Sequence, residues 1–211
     1  MQQVFGFPLH GLDKRPYPRD ELEAWDWQGI PLNRESMGKG MERDTIQFRT
    51  FERLEAEYDL VFNDDGKGEA ADLVCLKDVN AEKIKLCLVH CKNAVRAEVT
   101  NDIGNFYTVC GQAQKCISVK HGGIPRLYQN LKRRQNTWRA QGATRFLKGD
   151  MSQLSYFKDK SRRAKLEFEV ILVQPGGSKS SLSDPILTLL GTTELFLKKT
   201  TLADFRVVVS D

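Results

Sequence analysis

The chain has 211 residues, 40% of them apolar and 28% charged, which is the size and make-up of one ordinary globular domain with a sizeable core. No apolar run approaches the roughly eighteen residues that a membrane helix needs. The N-terminal residues do not read as a signal peptide, and five cysteines without metal-finger spacing read as reduced, core-filling thiols of a cytoplasmic protein. The net charge of +4 hides an asymmetry: residues 115–165 hold fourteen Lys and Arg against two Asp, a balance of +12 that leaves −8 for the remainder. An acidic half thus joins a half suited to holding a polyanion.

Residues 1–43 are rich in Pro, Gly, Trp and charge, with little periodicity, and read as an N-terminal arm or linker before a domain spanning 44–211. Trp25, Trp27, Ile30 and Leu32 give the arm a means of docking, and Met37-Gly38-Lys39-Gly40 reads as a flexible approach. Asp44 is expected to cap a helix over 45–58. Thr50, Phe51, Leu54 and Tyr58 form its buried side, with Gln47 in the middle, where a polar side chain needs a partner. Strands are expected at 59–63, 71–77 and 83–92, joined by the turns 64–68 and 78–81, which suit antiparallel hairpins. In the third strand Ile84, Leu86 and Leu88 alternate with Cys87, Val89 and Cys91, so both faces are apolar and the strand belongs at a sheet's centre.

A helix capped by Asn101 or Asp102 is expected to run to about Val119, with Ile103, Phe106, Cys110, Ala113 and Ile117 as its apolar stripe. Tyr107 and Gln114 flank that stripe, while Gln112 is expected to point away. A strongly basic helix over 127–140 interleaves Tyr128 and Trp138, whose rings are expected to pack in the core, and 155–165 continues the basic character. The last part reads as a βαβ unit: a strand at 166–174, a helix at 185–198 and a strand at 205–210. Its loop Pro175-Gly176-Gly177-Ser178-Lys179-Ser180 lacks phosphate-loop spacing and reads as a plain connection. His10 and His121 stand isolated, with no triad partner.

The chemistry gathers between Asp64 and Lys92. Asp72 lies near the start of one strand, and His90 and Lys92 close the next, two residues apart and therefore on the same side. Hydrolysing a phosphodiester needs a divalent cation, a positioned water and positive charge for the developing oxyanion. Mg²⁺ takes one or two carboxylates and keeps several waters, and a lysine beside it orients or deprotonates the water. Asp72 and Lys92 fit those parts, with Glu69 and Asp65 as spare carboxylates. The basic segment's lack of acids argues for phosphate contact over a solvated face, through Lys115, Lys120, Arg126, Lys132, Arg133 and Arg134.

In element order the chain resembles the PD-(D/E)XK phosphodiesterases, the restriction-endonuclease-like nucleases. The resemblance implies an α/β fold: a restriction-endonuclease-like core with a mixed central sheet flanked by helices. Asp72 would be the family's first aspartate and Lys92 its lysine, with the Cys91 carbonyl as a metal ligand. His90 occupies the place of the family's second acid, and imidazole suits Mn²⁺ better than Mg²⁺. Gly68-Glu69-Ala70-Ala71-Asp72, Val89-His90-Cys91-Lys92, Val109-Cys110-Gly111-Gln112-Ala113-Gln114-Lys115 and Ile171-Leu172-Val173-Gln174-Pro175-Gly176 together look like a nuclease-like domain attached to DEAD/DEAH-type helicases of bacterial defence systems. That implies a Mg²⁺- or Mn²⁺-dependent endonuclease or exonuclease acting on DNA, with Asp72, His90 and Cys91 on the metal, Lys92 on the water, and Gln114 presented to the site. No helicase motif is present, so the helicase would be a partner subunit, or the chain an excised domain. Histidine at position 90 motivates an alternative, a catalytically inactive nucleic-acid-binding module that regulates a partner helicase; a protein-interaction domain is a third.

Overall fold

Position 84 onward shows why this sheet forms. The even residues Ile84, Leu86 and Leu88 are buried in one apolar cluster, and Cys87, Val89 and Cys91 in another. The strand that carries them, Lys83–Cys91, accordingly lies inside a seven-stranded sheet. The computed structural model describes residues 15–211; the first part of the arm, with His10, lies outside the described residues. In chain order the strands are β1 (Glu23–Trp25), β2 (Leu60–Asn63), β3 (Leu73–Asn80), β4 (Lys83–Cys91), β5 (Phe146–Lys148), β6 (Lys165–Ser178) and β7 (Asp204–Ser210). The helices are α1 (Ile46–Leu54), α2 (Ile103–Gln114), α3 (Ile117–Arg139), α4 (Met151–Lys160) and α5 (Asp184–Thr201).

The strand order is β1-β7-β6-β4-β3-β2-β5. On one side of β4 the pairings with β6, β7 and β1 are parallel; on the other, β4, β3, β2 and β5 pair antiparallel. The protein is therefore an α/β fold with a mixed sheet flanked by helices. β2–β3–β4 is the expected meander, and β6–α5–β7 the expected parallel crossover unit. One face of the sheet packs against α2, α3, α4 and α5 through Phe106, Leu127, Leu154 and Leu190. The other is covered by α1 and the arm, through Ile46, Leu54, Trp27 and Met37.

Several local expectations differ. Thr45, not Asp44, caps α1: its hydroxyl accepts from the Phe48 N–H, while Asp44 pairs with Arg34 in solvent. The helix stops at Leu54, short of Tyr58. The helix expected to reach Val119 breaks after Gln114, and α3 starts at Ile117. α3 itself turns at Gly123, whose φ of 65° suits only glycine without strain. β6 runs on through Gly176 and Gly177 to Ser178, so most of the expected loop is strand. Met37 is fully buried, which anchors the segment expected to be a flexible approach. Gly191 lets the arm cross α5, since a side chain there would meet the Arg15 carbonyl oxygen. Tyr128 and Trp138 are buried, as their place in the pattern implied. Among the described residues no helix is long and apolar enough to cross a membrane.

Candidate functional site

β3 and β4 pair with Leu73 opposite Val89, which brings Asp72 level with the carboxy-terminal end of β4. There one oxygen of Asp72 accepts from the Cys91 N–H at 2.8 Å and the other from the Gln47 carboxamide at 2.9 Å. Gln47 in turn accepts from the Met37 N–H at 3.1 Å, so the polar residue on the buried face of α1 bridges the arm to Asp72. The part of Cys91 that meets Asp72 is its amide; its thiol turns to Thr50 on α1. Burial pushes the Asp72 carboxyl well up from the usual aspartate range, the Cys91 N–H pulls it down, and the charges of Glu69, Glu35 and Asp65 raise it further. Both oxygens nevertheless accept hydrogen bonds, which is the arrangement of a carboxylate. A cation would relieve the repulsion among these groups.

Asp65, Glu69 and Asp72 present carboxylate oxygens within 4.8 Å of one another. Asp65 takes a hydrogen bond from Ser36 of the arm. Glu69 accepts from the Gly66 N–H at 2.6 Å, and burial pushes its carboxyl up. Three hard oxygen donors converging in this way suit Mg²⁺ or Mn²⁺. Glu69 and Asp65, the spare carboxylates of the sequence, are thus in the cluster. His90 is not: its Nε2 lies 3.2 Å from the Cys116 sulfur, and it shares a hollow with Gln112 and Lys115 on the α2 side. Burial, with the Lys115 ammonium beside it, pushes the imidazole down to about 4, so it is neutral at physiological pH. Of the expected ligands the carboxylate cluster contains Asp72, joined by Asp65 and Glu69, while His90 lies beside Cys116 and outside it.

Lys92 continues past β4, its N–H held by the Val173 carbonyl at 2.9 Å. Its ammonium meets Glu35 at 2.8 Å, and the same Glu35 oxygen takes the Asn93 N–H at 2.8 Å. Glu35 was invisible in the sequence because it lies in an aperiodic arm. Of the two α2 glutamines, Gln112 lines the hollow beside His90, while Gln114 ends the helix half-buried. The reason is that Asn105 is buried on α2 and Gln112, two turns on, follows it to the same side. A stripe counted from apolar residues alone omits Asn105.

The six basic candidates divide. Arg134 is a structural residue: its guanidinium pairs with buried Asp64 and donates to the carbonyls of Lys67 at 3.0 Å and Asp65 at 2.9 Å, so it pins the turn carrying Asp65 and Glu69 and is not free to grip a backbone. Arg145 assists from the other side, donating to Asn63 and Asp65 carbonyls with its guanidinium 4.0 Å from the Trp138 ring. Lys120 lies over Phe168. Lys115 and Arg126 line a cleft with Asp64 and Glu69, and Lys132 and Arg133 line an open groove on the outer side of α3. No protein-family model matches the chain, and comparisons with curated proteins and with solved structures return no match.

Proposed function

We propose that the protein is a divalent-metal-dependent phosphodiesterase acting on nucleic acid, DNA in the first instance, with a restriction-endonuclease-like arrangement of its site. The observation that carries this reading is the convergence of Asp65, Glu69 and Asp72 within 4.8 Å, with Asp72 bonded to the residue before Lys92. The donors are all carboxylate oxygens, which fits Mg²⁺ or Mn²⁺. When bound, the ion would polarise the phosphoryl oxygen and lower the pKa of a water. Asp72 is held still by Gln47 and the Cys91 amide, so the site is positioned before substrate arrives. The Lys92 ammonium stands ready to orient the water or to balance charge on the phosphoryl oxygens, and Glu35 fixes its direction. Lys115 and Arg126 supply the positive wall along which the strand would run.

The test is cleavage of single-stranded, duplex and branched DNA with Mg²⁺ or Mn²⁺. Asp72→Ala and Lys92→Ala should each lower the rate by at least about a hundredfold; undiminished cleavage by both would remove this site from the reading. A second reading, a silent nucleic-acid-binding module acting with a helicase, is favoured by one observation: the lysine ammonium is already engaged by Glu35. Salt-sensitive DNA binding with no heat of Mn²⁺ binding in a calorimetric titration would select it.

A further inference from the structure

Beside the carboxylate cluster lies a cleft between the β2–β3 turn and the junction of α2 with α3. Two hollows of about 320 Å³ and 170 Å³ share Gly68, Glu69, Ala70 and Lys115 as walls. The inner one is closed by His90 and Gln112. His90 is 3% exposed, its Nε2 faces Cys116, and among the described residues its Nδ1 has no partner; the side-chain amide oxygen of Gln112 is also buried without one. Buried polar atoms are almost always paired, so two in one wall point to a ligand that completes them. The outer hollow is lined by Lys115, Ser118, Arg126 and Asn130 beside the Gly122–Gly123 turn. Neither Lys115 nor Arg126 is in an ion pair among the described residues. Because α3 breaks at Gly123, its long second half opens a fresh helix N-terminus on this hollow, which favours an anion.

We infer that this cleft binds one nucleotide of a nucleic-acid strand, with its phosphate against Lys115, Arg126 and the restarted helix and its base edge against His90 Nδ1 and the Gln112 oxygen. The inference rests on nucleic acid being the substrate and names the subsite next to the bond that is cut, because Glu69 belongs both to the cleft wall and to the carboxylate cluster. A bare phosphate would satisfy the outer hollow and leave the inner polar atoms unpaired. A base satisfies both: adenine meets the Gln112 oxygen with its exocyclic amino group, whereas the one donor on thymine's edge, N3–H, is flanked by two carbonyl oxygens that the Gln112 oxygen repels. Extracting that base from a duplex costs unstacking, so the strand end or a single strand is the form taken.

The experiment is a titration of the metal-free protein with 5′-dAMP, 5′-dTMP and inorganic phosphate, followed by amide chemical shifts. Binding of 5′-dAMP about fivefold tighter than 5′-dTMP, and tighter again than phosphate, is expected. Gln112→Leu should erase the base preference. Arg126→Ala should weaken both nucleotides about tenfold, and Arg126→Lys should recover most of that loss. Equal affinity for phosphate and nucleotide, or a preference unchanged in Gln112→Leu, overturns the inference, as does the absence of any nucleotide binding. No metal or cleavage enters the measurement, so its failure is distinct from a failed nuclease assay, which speaks to the carboxylate cluster.

Discussion

Asp64 and His90 are buried titratable groups that pull stability in opposite directions with pH. Burial pushes the Asp64 carboxyl up to about 6, against the pull of the Ala70 N–H and the guanidinium groups of Arg134 and Arg145. Between the ordinary aspartate value and 6 the folded state holds a proton that the unfolded chain has released. The contribution of Asp64 is therefore full below about pH 4 and lost as pH rises through 6, on the order of 3 kcal/mol. His90 is depressed to about 4 by burial and then by Lys115; its contribution is full above about 6.5 and is lost as pH falls to 4. Asp72 and Glu69, also pushed up by burial, add to the fall. Urea denaturation from pH 4 to 7 should therefore show the stability of Asp64→Asn falling less with pH than that of the native protein. A profile parallel to that of the native protein would show that Asp64 ionises normally.

At the scale of elements, α3 and the stretch before β5 hold the loop from Asp64 to Glu69, and with it the carboxylates of Asp65 and Glu69, in place. Arg134→Ala leaves a 2%-exposed carboxylate without its ion pair, which should cost about 3 kcal/mol in a denaturant titration and weaken Mn²⁺ affinity measured by calorimetry. An unchanged Mn²⁺ affinity would show that the loop keeps its shape without Arg134. The longer elements were legible because their burial patterns are periodic: β4 is apolar on both faces, and the β6–α5–β7 unit switches period twice. The three-residue strands β1 and β5 were not, since three residues carry no period and owe their conformation to the partners β7 and β2. Asp72 and Lys92 were legible from strand pairing. Glu35, Gln112 and the pinning role of Arg134 depend on contacts across 57 or more positions, or on a buried asparagine, and local pattern holds neither.

Across the whole molecule, the basic segment does two jobs that its composition merges. Arg134 and Arg145 are consumed in holding the acidic loop, while Lys132 and Arg133 line an open groove, and among the described residues the Arg133 guanidinium is in no hydrogen bond or ion pair. The double reversal Lys132→Glu, Arg133→Glu should lower DNA affinity and reduce the slope of log affinity against log salt by about two, as fluorescence anisotropy would show; indifference to the reversal would point instead to a protein partner on this face. The two halves of opposite charge are thus folded onto one another, and part of the +12 is spent inside the protein.

One pairing has a consequence for the order in which the protein becomes competent. β1 lies against Val208–Ser210, the far end of the described chain, and the same arm delivers Glu35 to Lys92 and Ser36 to Asp65. During synthesis the arm emerges before the sheet but cannot dock on β7 until the residues up to Ser210 have followed. Contacts of such long range form late. A nascent chain therefore carries an acidic loop and an unheld lysine, and the cutting chemistry proposed for it is withheld until β7 has been made.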